Sequence, residues 1–195
     1  MQANSDRDWN RVFFTDETYI QLSANVTRAW HKIGNRPSCP RPKFPKKLMF
    51  WAAVSREMKT ELIPVDGTMT SQRYIELLRE KFIPWIRRQK HGKFVFQQDN
   101  APAHTARATK QFLDEEKIEL LPWPANSPDL NPIENLWGIL KAKVGERKPN
   151  DVAELLGIAQ DEWTKIPLQT VKACIDSMPR RLAQVLERNG SKMDY

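Results

Sequence analysis

Three acidic residues stand where charge is out of place. Asp16 follows the apolar run Val12-Phe13-Phe14-Thr15, and Asp99 follows Phe94-Val95-Phe96-Gln97-Gln98. Side chains alternate along a strand, so Val12, Phe14 and Asp16 share one face, as do Val95, Gln97 and Asp99. If the two strands are parallel neighbours, both carboxylates project at the carboxyl edge of a sheet, where open α/β sheets bind ligands. Two such charges held close resist joint ionisation unless a cation neutralises them, and their oxygens suit Mg²⁺ or Mn²⁺. The third acid is Glu134, in Ser127-Pro-Asp-Leu-Asn-Pro-Ile-Glu-Asn-Leu-Trp137. It flanks the apolar stripe of a helix and could be aimed along the same edge. Each acid also has a plain structural role open to it. An aspartate after a strand is common turn chemistry. With Asn131 as N-cap and Pro132 at N1, Glu134 falls at the capping-box position.

The elements that must position these acids can be read from pattern. Arg11–Leu22 is β-branched and aromatic, which predicts one strand, or two with a turn near Asp16–Thr18. Leu48–Val54 and Thr60–Pro64 are further strand candidates, the latter closed by a turn at Asp66-Gly67. Tyr74, Leu78, Phe82 and Trp85 recur at helical spacing within Ser71–Gln89, where Pro84 predicts a kink or an early end. Phe94–Gln98 is a short strand, a helix runs from about Thr105 to Glu115, and Ile118–Leu121 is the last strand. From Asn131-Pro132 a helix carries Ile133, Leu136, Trp137, Leu140 and Val144 on one face. Asp151 caps a helix bearing Val152, Leu155, Leu156, Ala159 and Trp163. A final helix, about Leu168–Arg188, has Pro179 as a kink. Strands alternating with helices, then helices alone, predict a mixed α/β layer fold.

Composition narrows the partners. The 195 residues carry a net charge of +7. Residues 1–100 hold 18 Lys and Arg against 10 Asp and Glu, whereas residues 101–195 hold 13 against 14. No acid lies between Glu17 and Glu57, a stretch that includes Arg28, Lys32, Arg36, Arg41, Lys43, Lys46 and Lys47. Such a one-sign block suits a polyanion, or is a solvated basic loop. Four prolines in Arg36–Pro45 make it an extended connector. The longest apolar run, Leu48–Val54, is far short of the about 20 residues a membrane span needs, so no membrane role is expected. Cys39 and Cys174 are isolated, which gives a zinc site or a disulfide framework no support and suits a reducing compartment.

The segments Phe14-Thr-Asp-Glu-Thr18, Phe96-Gln-Gln-Asp-Asn-Ala-Pro-Ala-His-Thr-Ala106 and Trp123-Pro-Ala-Asn-Ser-Pro-Asp-Leu-Asn-Pro-Ile-Glu-Asn-Leu-Trp137 resemble the catalytic domain of mariner / Sleeping Beauty superfamily DNA transposases. The 34 residues between Asp99 and Glu134 match the branch whose third acid is glutamate. The resemblance covers nearly the whole chain. It implies an α/β, RNase H-like fold, a mixed five-stranded sheet flanked by helices with a C-terminal helical extension. The expected units are a core over 1–145, including the basic connector 28–47, and an extension over 146–195. Asp16, Asp99 and Glu134 are the implied catalytic and metal-binding residues, holding two Mg²⁺ ions or Mn²⁺ as substitute.

The implied activity is hydrolysis at transposon ends and 3′-hydroxyl strand transfer into target DNA, typically at a TA step. A homodimer on DNA and nuclear localisation in a eukaryotic host go with it. Relatives carry N-terminal helix-turn-helix modules; only ten polar residues precede Arg11, so either an excised catalytic core or a truncated gene product is expected. The alternatives are a relic that binds DNA or protein without chemistry, and another nuclease of the same fold. Asn100, as a neighbour orienting Asp99, and His104 are secondary site candidates. Glu17 should point to the face opposite Asp16. Trp51, Trp137 and Trp163 are assigned to the core, and Trp123 either packs under its loop or stacks on a base. Arg28, Lys32, Arg36, Arg41, Lys43, Lys46, Lys47, Arg180 and Arg181 are candidate phosphate contacts.

Overall fold

A computed structural model of the chain describes residues 8–22, 46–89, 92–125 and 127–187. Its centre is a five-stranded sheet in the order β3-β2-β1-β4-β5. The strands are β1 (Val12–Gln21), β2 (Lys47–Val54), β3 (Ile63–Val65), β4 (Val95–Gln97) and β5 (Glu119–Leu120). β1 runs antiparallel to β2 and parallel to β4; β2 and β3 are antiparallel, and β4 and β5 parallel. The parallel pairing that would bring Asp16 and Asp99 to one edge is therefore present.

β1 bears out one expectation, the single strand, and corrects another, the place of Asp16. It is a single strand with no turn at Asp16–Thr18, and Asp16 lies within it instead of ending it. Every residue from Phe14 to Gln21 is in register with β2, which holds the strand straight past the acid. On the other side β4 stops: the ladder ends at Phe14 opposite Gln97. Beyond that rung Thr15 bonds to Gln97 itself, its N–H donating to Oε1 at 3.3 Å and its hydroxyl to the carbonyl at 2.8 Å. Asp16 is thus uncovered on the β4 side.

The alternation of β1 splits the core in two. Val12, Phe14 and Ile20 join an apolar cluster with Phe50, Ala52 and Val54. Helices α5 (Ile133–Arg147), α6 (Val152–Lys165), α7 (Leu168–Asp176) and α8 (Met178–Glu187) cover that face, through Leu136, Trp137, Leu140, Trp163, Val171, Ile175 and Leu182 among others. Residues beyond 146 share this cluster with the sheet. Phe13, Trp51, Ala53 and Phe96 face the other way, against α1 (Ser71–Leu77), α2 (Ile83–Arg88) and α4 (Arg107–Glu115). A short α3 (Pro102–Thr105) precedes α4. Among the described residues no helix is long and apolar enough to cross a membrane.

Two proline expectations resolve differently. Pro84 does not end its helix: Leu78–Phe82 widens into a π turn in which the Ile83 N–H donates to the Leu78 carbonyl, and α2 continues to Arg88. A π turn relieves the ladder that a proline interrupts. Pro179 does mark a break, with α7 ending at Asp176 and α8 starting at Met178. The strand expected at Thr60–Pro64 begins only at Ile63. Before it, the Lys59 ammonium reaches across to the end of α6 and donates to the carbonyls of Trp163 and Ile166, each at 2.5 Å, and of Thr164 at 3.2 Å. This cation satisfies carbonyls that a helix C-terminus leaves without partners.

Candidate active site

Asp16 points to the α5 side of the sheet. Its Oδ2 accepts the indole N–H of Trp137 at 3.1 Å. Trp137, assigned from the sequence to the core alone, is both a core ring and a donor, and its ring lies on Trp163 with centroids 5.1 Å apart. α5 is fixed to β1 one residue before Asp16, because the buried Asn131 amide donates to the Thr15 carbonyl at 3.2 Å. No periodicity signals either contact. Burial first, then the charges of Glu134 and Glu17, push the Asp16 carboxyl up to about 8, against the pull of the Glu17 backbone and Trp137.

Asp99 is held from the opposite side. Its Oδ1 accepts the Ala101 N–H at 2.9 Å, a turn role, and lies 2.6 Å from His104 Nδ1. His104 is buried, its ring 4.1 Å from that of Tyr74. Its Nε2 lies 3.3 Å from Oε1 of Glu17, which points away from Asp16 as strand alternation requires. Burial alone would lower the His104 pKa; the Asp99 bond and the facing carboxylates of Glu17 and Asp99 outweigh it and carry the imidazole to about 9. The His104 bond in turn holds Asp99 below the usual carboxylate range, assisted by Ala101 and opposed by burial.

Glu134 does not close a capping box. The Asn131 N–H it would accept already donates to the Pro128 carbonyl at 2.8 Å. Its exposed carboxylate instead lines a cleft of about 350 Å³ together with Asp16 and Asp99, beneath a wall of Trp123, Pro124 and Pro128. Three acids from β1, the end of β4 and the start of α5 thus share one opening. As they stand, no three Asp, Glu, His or Cys side chains among the described residues are gathered tightly enough to hold one ion. The donor chemistry nevertheless fits a hard divalent cation. Burial is the first cause of the raised Asp16 carboxyl and the negative charge of Glu134 the second, and a cation between the two acids would relieve that second cause; Asp99 commits only Oδ1 to Ala101 and His104.

This arrangement has relatives. Residues 11–156 match the family model described as a DDE superfamily endonuclease. The chain belongs to that family. It is 34% identical to the Tc3 transposase of Caenorhabditis elegans over 98% of its own length and 60% of the relative's. It is 30% identical to the Tc1 transposase of the same organism, covering 97% of this chain and 72% of that one. Among solved structures, a Mos1 transposase paired-end complex with the left transposon end superposes with a TM-score of 0.81 at 25% identity, over 99% of this chain and 59% of that one. The fold is therefore RNase H-like. The chain spans about 60% of the length of the Tc3 and Mos1 proteins.

The remaining candidates in this DDE domain divide. Asn100 does not orient Asp99: its amide donates to the Trp123 carbonyl at 3.1 Å and ties down the cleft wall. Trp123 packs its edge on Phe14, centroids 6.1 Å apart, while still facing the cleft. Arg181 is not a surface phosphate contact. It is 7% exposed and bonds to Ser177 Oγ, the Asp129 carbonyl and Asn135 Oδ1, clasping α8 to the approach to α5. Its neighbour Arg180 is exposed. Lys46 is exposed, and Lys47 opens β2 with its ammonium 4.0 Å above the Tyr19 ring. Arg28, Lys32, Arg36, Arg41 and Lys43 lie outside the described residues.

Proposed function

We propose that the chain is the catalytic core of a cut-and-paste DNA transposase. The observation that carries this reading is the convergence of Asp16, Asp99 and Glu134 on one cleft, in a member of a DNA-cleaving family. Asp16, Asp99 and Glu134 would hold two Mg²⁺ or Mn²⁺ ions, which when bound activate the attacking oxygen and stabilise the leaving one. A Mos1 paired-end complex has been solved with Mn.

The chain's own residues do the positioning. Trp137 keeps Asp16 in one rotamer and favours its ionised form. His104 does the same for Asp99. The Asn131 bond to β1 sets where α5 delivers Glu134. Trp123, Pro124 and Pro128 wall the opening that a DNA strand would enter. In the first step water attacks phosphorus at a transposon end and the P–O3′ bond breaks, leaving a 3′-hydroxyl. In the second that hydroxyl attacks a target phosphodiester, at a TA step, and displaces the target's own 3′-oxygen. The partners in this reading are transposon-end and target DNA and a second copy of the chain on DNA, with the nucleus as the compartment in a eukaryotic host. Lys46, Lys47 and Arg180 contribute salt-dependent phosphate contacts.

The test is Mn²⁺-dependent nicking of supercoiled plasmid by the native chain and by Asp99→Ala. Nicking by the native chain alone is expected. Equal nicking by both, or none by either, overturns the catalytic reading; retained DNA binding in the latter case identifies a binding module.

A further inference from the structure

We propose that Glu17 is a positioning residue for the cleft, acting on Asp99 through His104. The inference rests on the catalytic reading above and extends it to a residue on the far face of the sheet. Consecutive residues of β1 point to opposite faces, so Asp16 enters the cleft directly while Glu17 enters the layer of Tyr74, Phe13 and Trp51. A carboxylate in such a layer is costly unless it is paired. The Oε1 of Glu17 and the Nε2 of His104 are both buried and have no aligned hydrogen-bond partner. They face each other at 3.3 Å, ion-pair distance. Each is the other's compensation.

The rest of the ring is committed to the same end. Tyr74 lies along one side of it, and the Tyr74 hydroxyl donates to Gln98 Oε1 at 2.8 Å. Gln98 Nε2 in turn donates to the His104 carbonyl at 3.3 Å. With its backbone and one ring face fixed, the imidazole is left with rotation about its own side chain. Glu17 at Nε2 opposes that rotation, and Nδ1 is then presented to Asp99 Oδ1 at 2.6 Å. Bonded carboxylate–histidine partners outside a metal's own ligands commonly contribute about 10–100-fold in metal affinity. The dipeptide Asp16-Glu17 therefore serves both aspartates of the cleft, one as itself and one by proxy.

The test is a double-mutant cycle read in Mn²⁺ affinity, by electron paramagnetic resonance of free Mn²⁺, on the full chain. The variants are Glu17→Leu, His104→Leu and their combination, with Glu17→Gln as the conservative variant and Asp16→Asn as the site control. Unfolding midpoints are recorded without metal. Glu17→Leu should weaken Mn²⁺ about tenfold, the double variant should lose no more than His104→Leu alone, and Glu17→Gln should lose less than Glu17→Leu because it keeps an oxygen facing Nε2 though not the charge. Additive losses, or a lowered midpoint with unchanged affinity, would overturn the inference and leave the cleft reading standing. If Asp16→Asn binds Mn²⁺ as the native chain does, the metal reading of the cleft falls and this inference with it. Should the leucine variants not fold, Glu17→Gln against His104→Gln decides: a smaller loss by the first than by the second is expected, and the reverse overturns the proposal.

Discussion

Replacing Trp137 by phenylalanine tests how much of the cleft's electrostatics comes from a single indole. The substitution keeps an aromatic ring against Trp163 but removes the 3.1 Å bond to Asp16 Oδ2. A hydrogen bond to a charged group contributes about 1.5–3 kcal/mol. At about 1.4 kcal/mol per factor of ten, its loss shifts the ionisation of Asp16 against the carboxylate by about tenfold to a hundredfold. Asp16 already sits at about 8, so at neutral pH it is largely protonated and the loss falls directly on metal binding. Mn²⁺ affinity at pH 7 should drop by about that factor, and the deficit should shrink as pH rises and Asp16 ionises regardless. The smaller ring also leaves a cavity that lowers the unfolding midpoint at every pH, so the pH dependence of the affinity ratio separates the two effects. The assay is Mn²⁺ titration of both proteins from pH 6 to 10. A constant ratio of affinities across that range would refute the reasoning.

Further expectations follow from the same contacts. Asp16 has its folded pKa raised from 3.8 to about 8, and His104 from 6.5 to about 9, so each contributes stability that is full below its unfolded value and lost as pH climbs through its folded one. The metal-free chain should therefore lose stability between about pH 4 and pH 9, and Asp16→Asn should flatten the lower part of that slope while abolishing nicking; thermal melts across pH check both. Lys59→Met leaves three carbonyls at the end of α6 without their cation and should cost about 2–4 kcal/mol in chemical denaturation, with little change in DNA affinity. Arg181→Ala should lower stability by about 2–3 kcal/mol and leave the salt dependence of DNA binding unchanged, whereas Arg180→Ala should reduce that slope by about one and leave stability unchanged.

Much of the scaffold was legible because it is periodic. The stripe Ile133, Leu136, Trp137, Leu140, Val144 is buried throughout, and Asp151 caps α6 through the Glu154 N–H at 2.8 Å. The three acids were legible from their anomalous neighbours and from motif resemblance. What escaped depends on pairs far apart in the chain. Trp137 to Asp16 spans 121 residues, Asn131 to Thr15 spans 116, and Arg181 to Asn135 spans 46. Arg181 read as a phosphate contact because an arginine on the last helix carries no local sign of the two elements it clasps. Asp16 looked like a strand end because the apolar run stops there. Pairing to β2 carries the strand on through polar residues, a tertiary effect that propensity does not register.

The stacked indoles of Trp137 and Trp163 give the final helices a stake in the chemistry. A nuclease cut back to residue 145 would keep every acid and every strand, yet it would strip the outer ring from behind the inner one and open the shelf on which Asp16 rests. Trimming or grafting within this scaffold should therefore treat the tail as foundation, and judge a shortened enzyme by the titration of its first aspartate before its turnover.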